Sequence, residues 1–103
     1  MTNSIIAIVT AFCCCDKCCG PDAIGLTASG RKPVEGITVA ASRKIPLGTK
    51  IKLTVPGSFT NRIFRVDDRL AKRYDDRVDI YMDDHRKALT WGLKKGSFTI
   101  IKK

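Results

Sequence analysis

The chain has 103 residues, of which 44% are hydrophobic and 28% are charged, a composition typical of folded globular proteins and not of disordered ones. This length allows one small domain, and we expect residues 1–103 to form it as a single unit. The 19 lysine and arginine residues exceed the 10 acidic residues by nine. Such a charge favours anionic partners, for example nucleic acid, a cell-wall polymer or a membrane surface.

The longest apolar run, residues 5–9, is far shorter than the roughly 20 residues that a membrane-spanning helix needs. No membrane insertion is therefore expected. The run also lacks the preceding basic segment and the following small-residue cleavage site that define a secretory signal. These features predict synthesis in the cytoplasm.

Short β-branched segments separated by turn residues predict a mainly β fold. The first strand is predicted at residues 4–12 and is followed by a long loop over residues 13–36. Further strands are predicted at residues 37–41, 50–55, 61–66, 77–82 and 97–101. Six short strands at this spacing are typical of a small β-barrel.

One short helix is predicted near the C-terminus, between the last two strands. Asp83 or Asp84 is placed to cap its start, and Gly92 is placed to end it. Its predicted apolar side comprises Ala88, Leu89 and Trp91.

Acidic residues are concentrated in one part of the chain, because seven of the ten lie between positions 67 and 84. Asp68 ends one predicted strand and Asp79 lies within the next. If these strands are neighbours, two partly buried carboxylates approach each other, and their repulsion raises one pKa until a protonated acid persists near neutral pH. General acid catalysis requires such a group. The alternative is that these aspartates cap turns and pair with Arg65, Arg69, Arg73 and Arg77.

Five cysteines occur within seven positions, at Cys13, Cys14, Cys15, Cys18 and Cys19. Without Cys14 they offer four thiolates, enough for a tetrahedral zinc ion, so the candidate ligands of a structural zinc are Cys13, Cys15, Cys18 and Cys19. Local disulfides that leave one thiol over are the alternative. We expect a structural role without metal, because adjacent Cys18 and Cys19 point in different directions and a tetrahedral site on one short loop demands unusual turns. The single histidine, His85, is expected to be exposed or to cap the helix, and its spacing does not indicate a Cys–His pair.

Four segments carry distinctive patterns in a fixed order: residues 10–20 (T-A-F-C-C-C-D-K-C-C-G), 27–30 (T-A-S-G), 39–49 (V-A-A-S-R-K-I-P-L-G-T) and 66–92. In this order they resemble the motifs of the 3D (Asp-Asp-Asp) domain family. The last segment resembles V-x-D-x(10)-D-[IV]-Y-x-D-x-H-x-x-A-L-x-[FW]-G and places the three name-giving aspartates at Asp68, Asp79 and Asp83. The similarity extends over about residues 8–101.

The resemblance implies a six-stranded double-psi β-barrel, because the 3D family is similar to the catalytic barrel of membrane-bound lytic transglycosylase A and to the stationary-phase survival proteins. The implied activity is cleavage of the MurNAc–GlcNAc β-1,4 bond of peptidoglycan without water, which yields a 1,6-anhydro product and requires no cofactor. The resemblance makes Asp79 the general acid/base and places Asp68 in the same cleft. The substrate-binding residues that it implies are Asp83, Thr27, Ser29 and Tyr81.

The chain differs from the family pattern in two places. Residues 40–42 are Ala-Ala-Ser where many relatives carry an aspartate, and residues 68–75 replace a glycine-rich loop. We expect a monomeric lytic transglycosylase that acts on peptidoglycan glycan strands at the cell wall or periplasm, as in phage or prophage lysis.

Two alternatives belong to other functional classes. One is a non-catalytic peptidoglycan-binding module that keeps the barrel without the glycine-rich loop. The other is a zinc-stabilised nucleic-acid-binding barrel, which only the charge and the cysteines favour. Nucleic acid is not the expected partner, because the seven aromatic residues mostly occupy predicted core positions.

Overall fold

The computed structural model describes residues 4–13, 27–70 and 72–102, and it confirms a mainly β fold with one short helix near the C-terminus. The six strands are β1 (Ile5–Phe12), β2 (Thr38–Ala41), β3 (Lys50–Val55), β4 (Phe59–Arg69), β5 (Arg77–Tyr81) and β6 (Lys94–Lys102). A 3₁₀ helix, Lys72–Tyr74, precedes β5, and the helix α1, His85–Trp91, lies between β5 and β6. Strands β4 and β6 are longer than the sequence pattern predicts.

The strands form a closed barrel in the order β1-β5-β2-β4-β3-β6, and β6 pairs back onto β1. The pairs β1–β5 and β2–β4 are parallel, and the other four pairs are antiparallel. Exchanging β1, β2 and β3 for β4, β5 and β6 reproduces the same pairings, so the two halves of the chain are built alike. This topology is consistent with the expected double-psi β-barrel.

The barrel interior is filled by alternate side chains of the strands, as the period of two in a β-strand requires. Fully buried aliphatic residues come from each of the strands β1 to β5. They include Val9, Val39, Ile51, Leu53, Val66 and Val78. All four residues of β2 are buried, because β4 and β5 flank it on both edges. Strand β2 therefore holds a fixed position in the barrel wall. The side chains of its neighbours β4 and β5 are positioned relative to it.

The turn between β3 and β4 follows directly from its sequence. The Ser58 amide donates to the Val55 carbonyl oxygen over 2.9 Å, which closes a four-residue turn with Pro56 and Gly57 at its centre. Gly57 has a φ of 86°, the left-handed conformation that the third position of a type II turn requires. The turn thus returns the chain antiparallel to β3 and starts β4.

Helix α1 packs against β1 at one end of the barrel. Asp84, and not Asp83, caps its start, because the Asp84 side chain accepts a hydrogen bond from the Arg86 amide. Ala88 is buried, whereas Leu89 is 68% exposed, so the predicted apolar side is wrong at Leu89. Neighbouring helix residues lie about 100° apart around the axis, which turns Leu89 away when Ala88 and Trp91 face the barrel.

No helix in the described part of the chain has both the length and the apolar character needed to cross a membrane.

Candidate active site

One row of residues crosses four adjacent strands on the outside of the barrel. In the strand register Ala40 of β2 is opposite Asp68 of β4 on one side and opposite Asp79 of β5 on the other, while Thr10 of β1 is opposite Asp79. Strands lie about 4.8 Å apart, so the Asp68 and Asp79 backbones are separated by roughly 10 Å with only a methyl group between them. This row is the candidate active site.

The strands of Asp68 and Asp79 are not direct neighbours, so the condition for the approach of the two carboxylates is not met. Strand β2 lies between β4 and β5, because each of these strands pairs with a different edge of β2. A β-bulge makes the shared row possible: Val39 is opposite Val66, but Ala40 is opposite Asp68, so Asp67 is the extra residue. The bulge brings Asp68 level with Asp79.

Asp79 is half-buried and has few hydrogen-bond donors among the residues that the structure describes. Val78 and Ile80 point into the core, so Asp79 faces the other side of β5, where the Thr10 hydroxyl donates to its Oδ1 over 3.0 Å. Burial raises the pKa of Asp79 from 3.8 to about 6, and the Asp68 charge adds to this rise, whereas the Thr10 hydroxyl and the Arg77 charge lower it. Burial is thus a larger cause than the repulsion between carboxylates that the sequence suggested.

Arg77 does not neutralise Asp79 by a direct ion pair in the described part of the chain. Its guanidinium lies over the Tyr74 ring, 4.6 Å from the centroid, and its buried Nε atom has no hydrogen-bond partner among the described residues. A cation held over an aromatic face is stabilised there by the ring quadrupole. The acid of Asp79 therefore keeps a raised pKa although an arginine lies two residues away.

Asp68 fixes a turn beside the row. Its Oδ1 accepts hydrogen bonds from the amides of Ala28 and Arg69 over 3.1 and 2.9 Å. The turn at residues 27–31 is held further by the Thr27 and Ser29 hydroxyls, which lie 2.8 Å apart, and by the Thr27 hydroxyl, which donates to the Arg31 carbonyl oxygen. The structure therefore brings Thr27 and Ser29 close to Asp68.

Tyr81 and Asp83 lie farther along the chain from Asp79. Tyr81 shares the outer face of β5 with Asp79, is buried, and packs edge-to-face on Phe12 with a centroid distance of 5.5 Å. Asp83 is exposed, and its amide donates to Glu35 Oε1 over 2.7 Å. Of the three name-giving aspartates, the row contains Asp68 and Asp79, whereas Asp83 lies beyond the end of β5.

Asp67, next to Asp68 in β4, is paired with an arginine. It is 1% exposed and accepts hydrogen bonds from Arg65 Nε (2.6 Å), Arg65 Nη2 (2.9 Å) and the Thr38 hydroxyl (2.8 Å). Its main-chain oxygen also accepts a bond from the Ser29 amide. Asp67 thus matches the alternative in which aspartates pair with nearby arginines, and it anchors the end of β4.

Only Cys13 of the candidate zinc ligands belongs to the described residues; Cys15, Cys18 and Cys19 lie outside them. Cys13 is buried, and its Sγ lies 3.3 Å from Nδ1 of His85. His85 is half-buried, so the expected exposed or capping role is wrong, and β1 and α1 bring together a Cys–His pair that sequence spacing does not reveal. Within the described ranges, no group of three or more His, Cys, Asp or Glu side chains is arranged to hold a metal.

Comparison with known proteins concerns the fold. No protein-family model matches the chain, and no curated protein matches it. Among solved structures, the crystal structure of MltA from E. coli is similar, with a TM-score of 0.63 and 23% sequence identity. The match covers 81% of this chain and 29% of the MltA chain, so the protein shares its barrel with a part of MltA.

Proposed function

We propose that this protein is a peptidoglycan lytic transglycosylase that cleaves the MurNAc–GlcNAc β-1,4 bond and leaves a 1,6-anhydro end. The observation that carries the proposal is Asp79, a half-buried carboxyl with a pKa of about 6, in one row with Asp68 across the small side chain of Ala40. The fold it shares with MltA, a lytic transglycosylase, supports the same reaction class. The resemblance to the 3D family assigns the acid to the same residue.

The reaction needs one proton donor that later becomes a proton acceptor. Protonated Asp79 gives its proton to the glycosidic oxygen as the bond from C1 to that oxygen breaks. The resulting carboxylate takes the proton of the C6 hydroxyl of the same sugar, whose oxygen then bonds to C1. No water enters, so a single carboxyl completes the cycle, whereas most glycosidases need two. The Thr10 hydroxyl occupies Oδ1, which leaves Oδ2 to carry the proton.

The substrate-binding roles of these residues are proposed from their positions around Asp79. Thr27 and Ser29 form the rigid turn beside Asp68, and Tyr81 follows Asp79 on the same face of β5. We propose that this turn and Tyr81 form two walls of the glycan cleft, with Asp83 at its far end. The net charge of +9 supports a wall polymer as partner, because its stem peptides carry carboxylates.

Product analysis tests the proposal. The purified protein is incubated with peptidoglycan, and the released sugars are identified by mass spectrometry. Anhydro-muropeptides are the expected result. Reducing ends would identify a hydrolase, and intact polymer that sediments with the protein would identify the non-catalytic binding module; either result overturns the lytic transglycosylase.

We also propose that Cys13 and His85 are two ligands of a structural zinc ion. With Zn–S near 2.3 Å and Zn–N near 2.0 Å, a tetrahedral site separates the two ligand atoms by about 3.5 Å. The observed 3.3 Å between Sγ and Nδ1 is a hydrogen-bond contact in the structure, and it is close to this separation. The remaining ligands would come from Cys15, Cys18 and Cys19, and zinc would keep their thiols deprotonated.

Elemental analysis of protein purified without chelator decides between metal and disulfide. About one zinc per chain, lost in the His85→Ala variant, is expected for the zinc site. Less than a tenth of that amount, together with fewer than five titratable thiols, would identify a local disulfide and exclude the metal.

A further inference from the structure

Apart from the row of Asp79, a pocket opens at the end of the barrel where β4 begins and β5 ends. Its volume is about 280 Å³, and it is lined by Glu35, Phe59, Arg62, Phe64, Tyr81 and Trp91. Tyr81 of the pocket lies two residues beyond Asp79 on β5, a distance of roughly 7 Å along a strand. A ligand that extends about this far from the row of Asp79 would reach the pocket.

The pocket has an aromatic wall. The rings of Phe59 and Trp91 are stacked with their centroids 6.2 Å apart and an angle of 24° between their planes, and Phe64 lies 5.6 Å from Phe59. Phe59 and Trp91 are only partly buried and pack against the core from outside it. The wall thus offers a fixed apolar surface to methyl and methylene groups of a ligand.

Arg62 supplies a positive charge at the same place. Its guanidinium lies 5.9 Å from the Phe59 centroid and 5.5 Å from the Phe64 centroid, so both rings position it. Gly36 lets it approach the main chain, since a Cβ atom there would lie only 2.9 Å from Arg62 Nη2. Arg62 is an exposed residue, and its guanidinium lies at the pocket beside the two rings.

The carboxylate of the pocket, Glu35, is already engaged elsewhere. It accepts bonds from the Asp83 amide and from Lys87 Nζ over 2.7 and 2.9 Å, and these bonds, with smaller contributions from the charges of Lys87 and Arg62, lower its pKa. Among the described residues Arg62 takes part in no ion pair. The fork of N–H donors on Arg62 is thus available to a carboxylate brought by a ligand.

We infer that this pocket binds the acidic stem peptide that peptidoglycan carries beside the bond to be cleaved. Arg62 pairs with a carboxylate of this peptide, and the Phe59–Trp91 wall contacts the methyl group of an alanine in the same peptide. The inference rests on the proposed function, since it takes the glycan in the row of Asp79 as its reference. It makes Arg62 a residue that distinguishes peptide-bearing glycan from bare glycan.

Trp91 reports occupancy of the pocket directly, because it is the single tryptophan of the chain. The protein is titrated with the soluble tripeptide L-Ala-γ-D-Glu-L-Lys and, separately, with its fully amidated form, and the Trp91 fluorescence is followed. The acidic tripeptide is expected to change the emission and to saturate, and the amidated form to bind at least tenfold more weakly. Equal binding of the two forms, or no change in emission, would overturn the inference.

Variants test Arg62 itself. Arg62→Gln is expected to weaken binding of the acidic tripeptide about tenfold, as loss of a charge-assisted pair predicts, whereas Arg43→Gln removes the same charge from an exposed turn and leaves binding unchanged. Urea midpoints of both variants show whether the barrel is intact. Arg62→Lys, which keeps the charge over the rings, provides a second test if Arg62→Gln unfolds.

The two proposals fail in different ways. If anhydro products form but Arg62→Gln cleaves peptide-bearing and amidase-stripped glycan in the wild-type ratio, the peptide site is refuted while the activity stands. If no product forms but the acidic tripeptide binds through Arg62, the pocket stands and the catalytic proposal is refuted.

Discussion

The tripeptide Arg-Val-Asp occurs twice in the chain, once in β4 and once in β5, and its two copies behave differently. In β4, Arg65 turns to Asp67 and donates two hydrogen bonds to its carboxylate. In β5, Arg77 lies over the Tyr74 ring instead, and Asp79 receives the single Thr10 hydroxyl. The same local sequence thus produces a structural ion pair in one strand and a titratable acid in the other.

The comparison shows that the donors around a carboxylate, and not its burial alone, decide its role. The Asp67 carboxylate is almost fully buried, yet a guanidinium and the Thr38 hydroxyl replace the water it loses. Asp79 is less buried, but its one neutral donor does not offset the lost hydration, so its pKa rises to about 6. Buried carboxylates cost free energy unless they are paired or protonated.

The largest expected effect is on activity. Asp79→Asn should lower the rate of anhydro-product formation by about 10²–10⁴-fold, because the amide has nearly the same shape but cannot donate the proton. Asp76→Asn, a substitution at an exposed aspartate nearby, is the matched control and should retain activity. Retention of more than about a tenth of the wild-type rate by Asp79→Asn would exclude Asp79 as the acid.

At the other copy, Asp67→Asn should lower the free energy of unfolding at pH 7 by about 3 kcal/mol, since Arg65 loses its anionic partner in a largely buried site. Urea denaturation measures this change. Asp75→Asn is the control, because the Lys44–Asp75 pair is 3.8 Å long with Lys44 84% exposed, and its loss should cost less than about 1 kcal/mol. Equal effects at the two sites would contradict the structural role of Asp67.

The same substitution at Asp79 should change stability in the opposite direction. The folded-state pKa of Asp79, about 6, exceeds its unfolded value of 3.8, so the wild-type protein loses stability as the pH rises from about 4 to 6. Asp79→Asn escapes this loss and should be more stable than wild type by about 3 kcal/mol at pH 8, with no pKa-linked advantage below pH 4. Thermal unfolding at both pH values measures the difference. A variant that is less stable at pH 8 would refute the burial cost.

Tyr74→Leu should make the second copy behave more like the first. Without the ring, Arg77 is released to approach Asp79, and its charge should lower the pKa of Asp79 by about one unit. Carboxyl ¹³C NMR titration measures the pKa without reference to activity. In an Arg77→Gln background the same substitution should have almost no effect, and an equal shift there would show that Arg77 is not responsible.

The smallest effect is expected from Asp68→Asn. Removing the Asp68 charge should lower the pKa of Asp79 by less than one unit, because burial is the larger cause. The descending limb of the pH–rate profile should therefore move slightly to lower pH, since Asp79 must start protonated. Asp76→Asn again serves as control, and a profile that does not move would show that the two row carboxylates do not interact.

Sequence patterning predicted the elements of this fold because each element is encoded locally. The alternation in β5 placed Val78 and Ile80 inside and Asp79 outside, and the structure agrees. The six strands and the single helix are confirmed for the same reason. Strand order is not a local property, so the pattern did not show that β2 separates β4 from β5.

Partner choice was even less predictable from the sequence. Nothing in the two Arg-Val-Asp tripeptides reveals that one arginine turns to its aspartate and the other to Tyr74, because the choice depends on the 3₁₀ helix that places Tyr74 beside β5. The contact between Cys13 and His85 spans 72 positions and depends on how α1 packs on β1. The pair becomes apparent only when the barrel order is known, because that order brings the end of β1 next to the start of α1.

The closed order of the strands also has a kinetic consequence. The bond from Thr10 to Asp79 joins positions 69 apart, and the bond from Ala28 to Asp68 joins positions 40 apart. Chains dominated by such distant pairings have high contact order and fold in milliseconds to seconds, because long loops must close before their contacts form. The burial that raises the pKa of Asp79 therefore exists only after strands distant in the sequence have assembled around it.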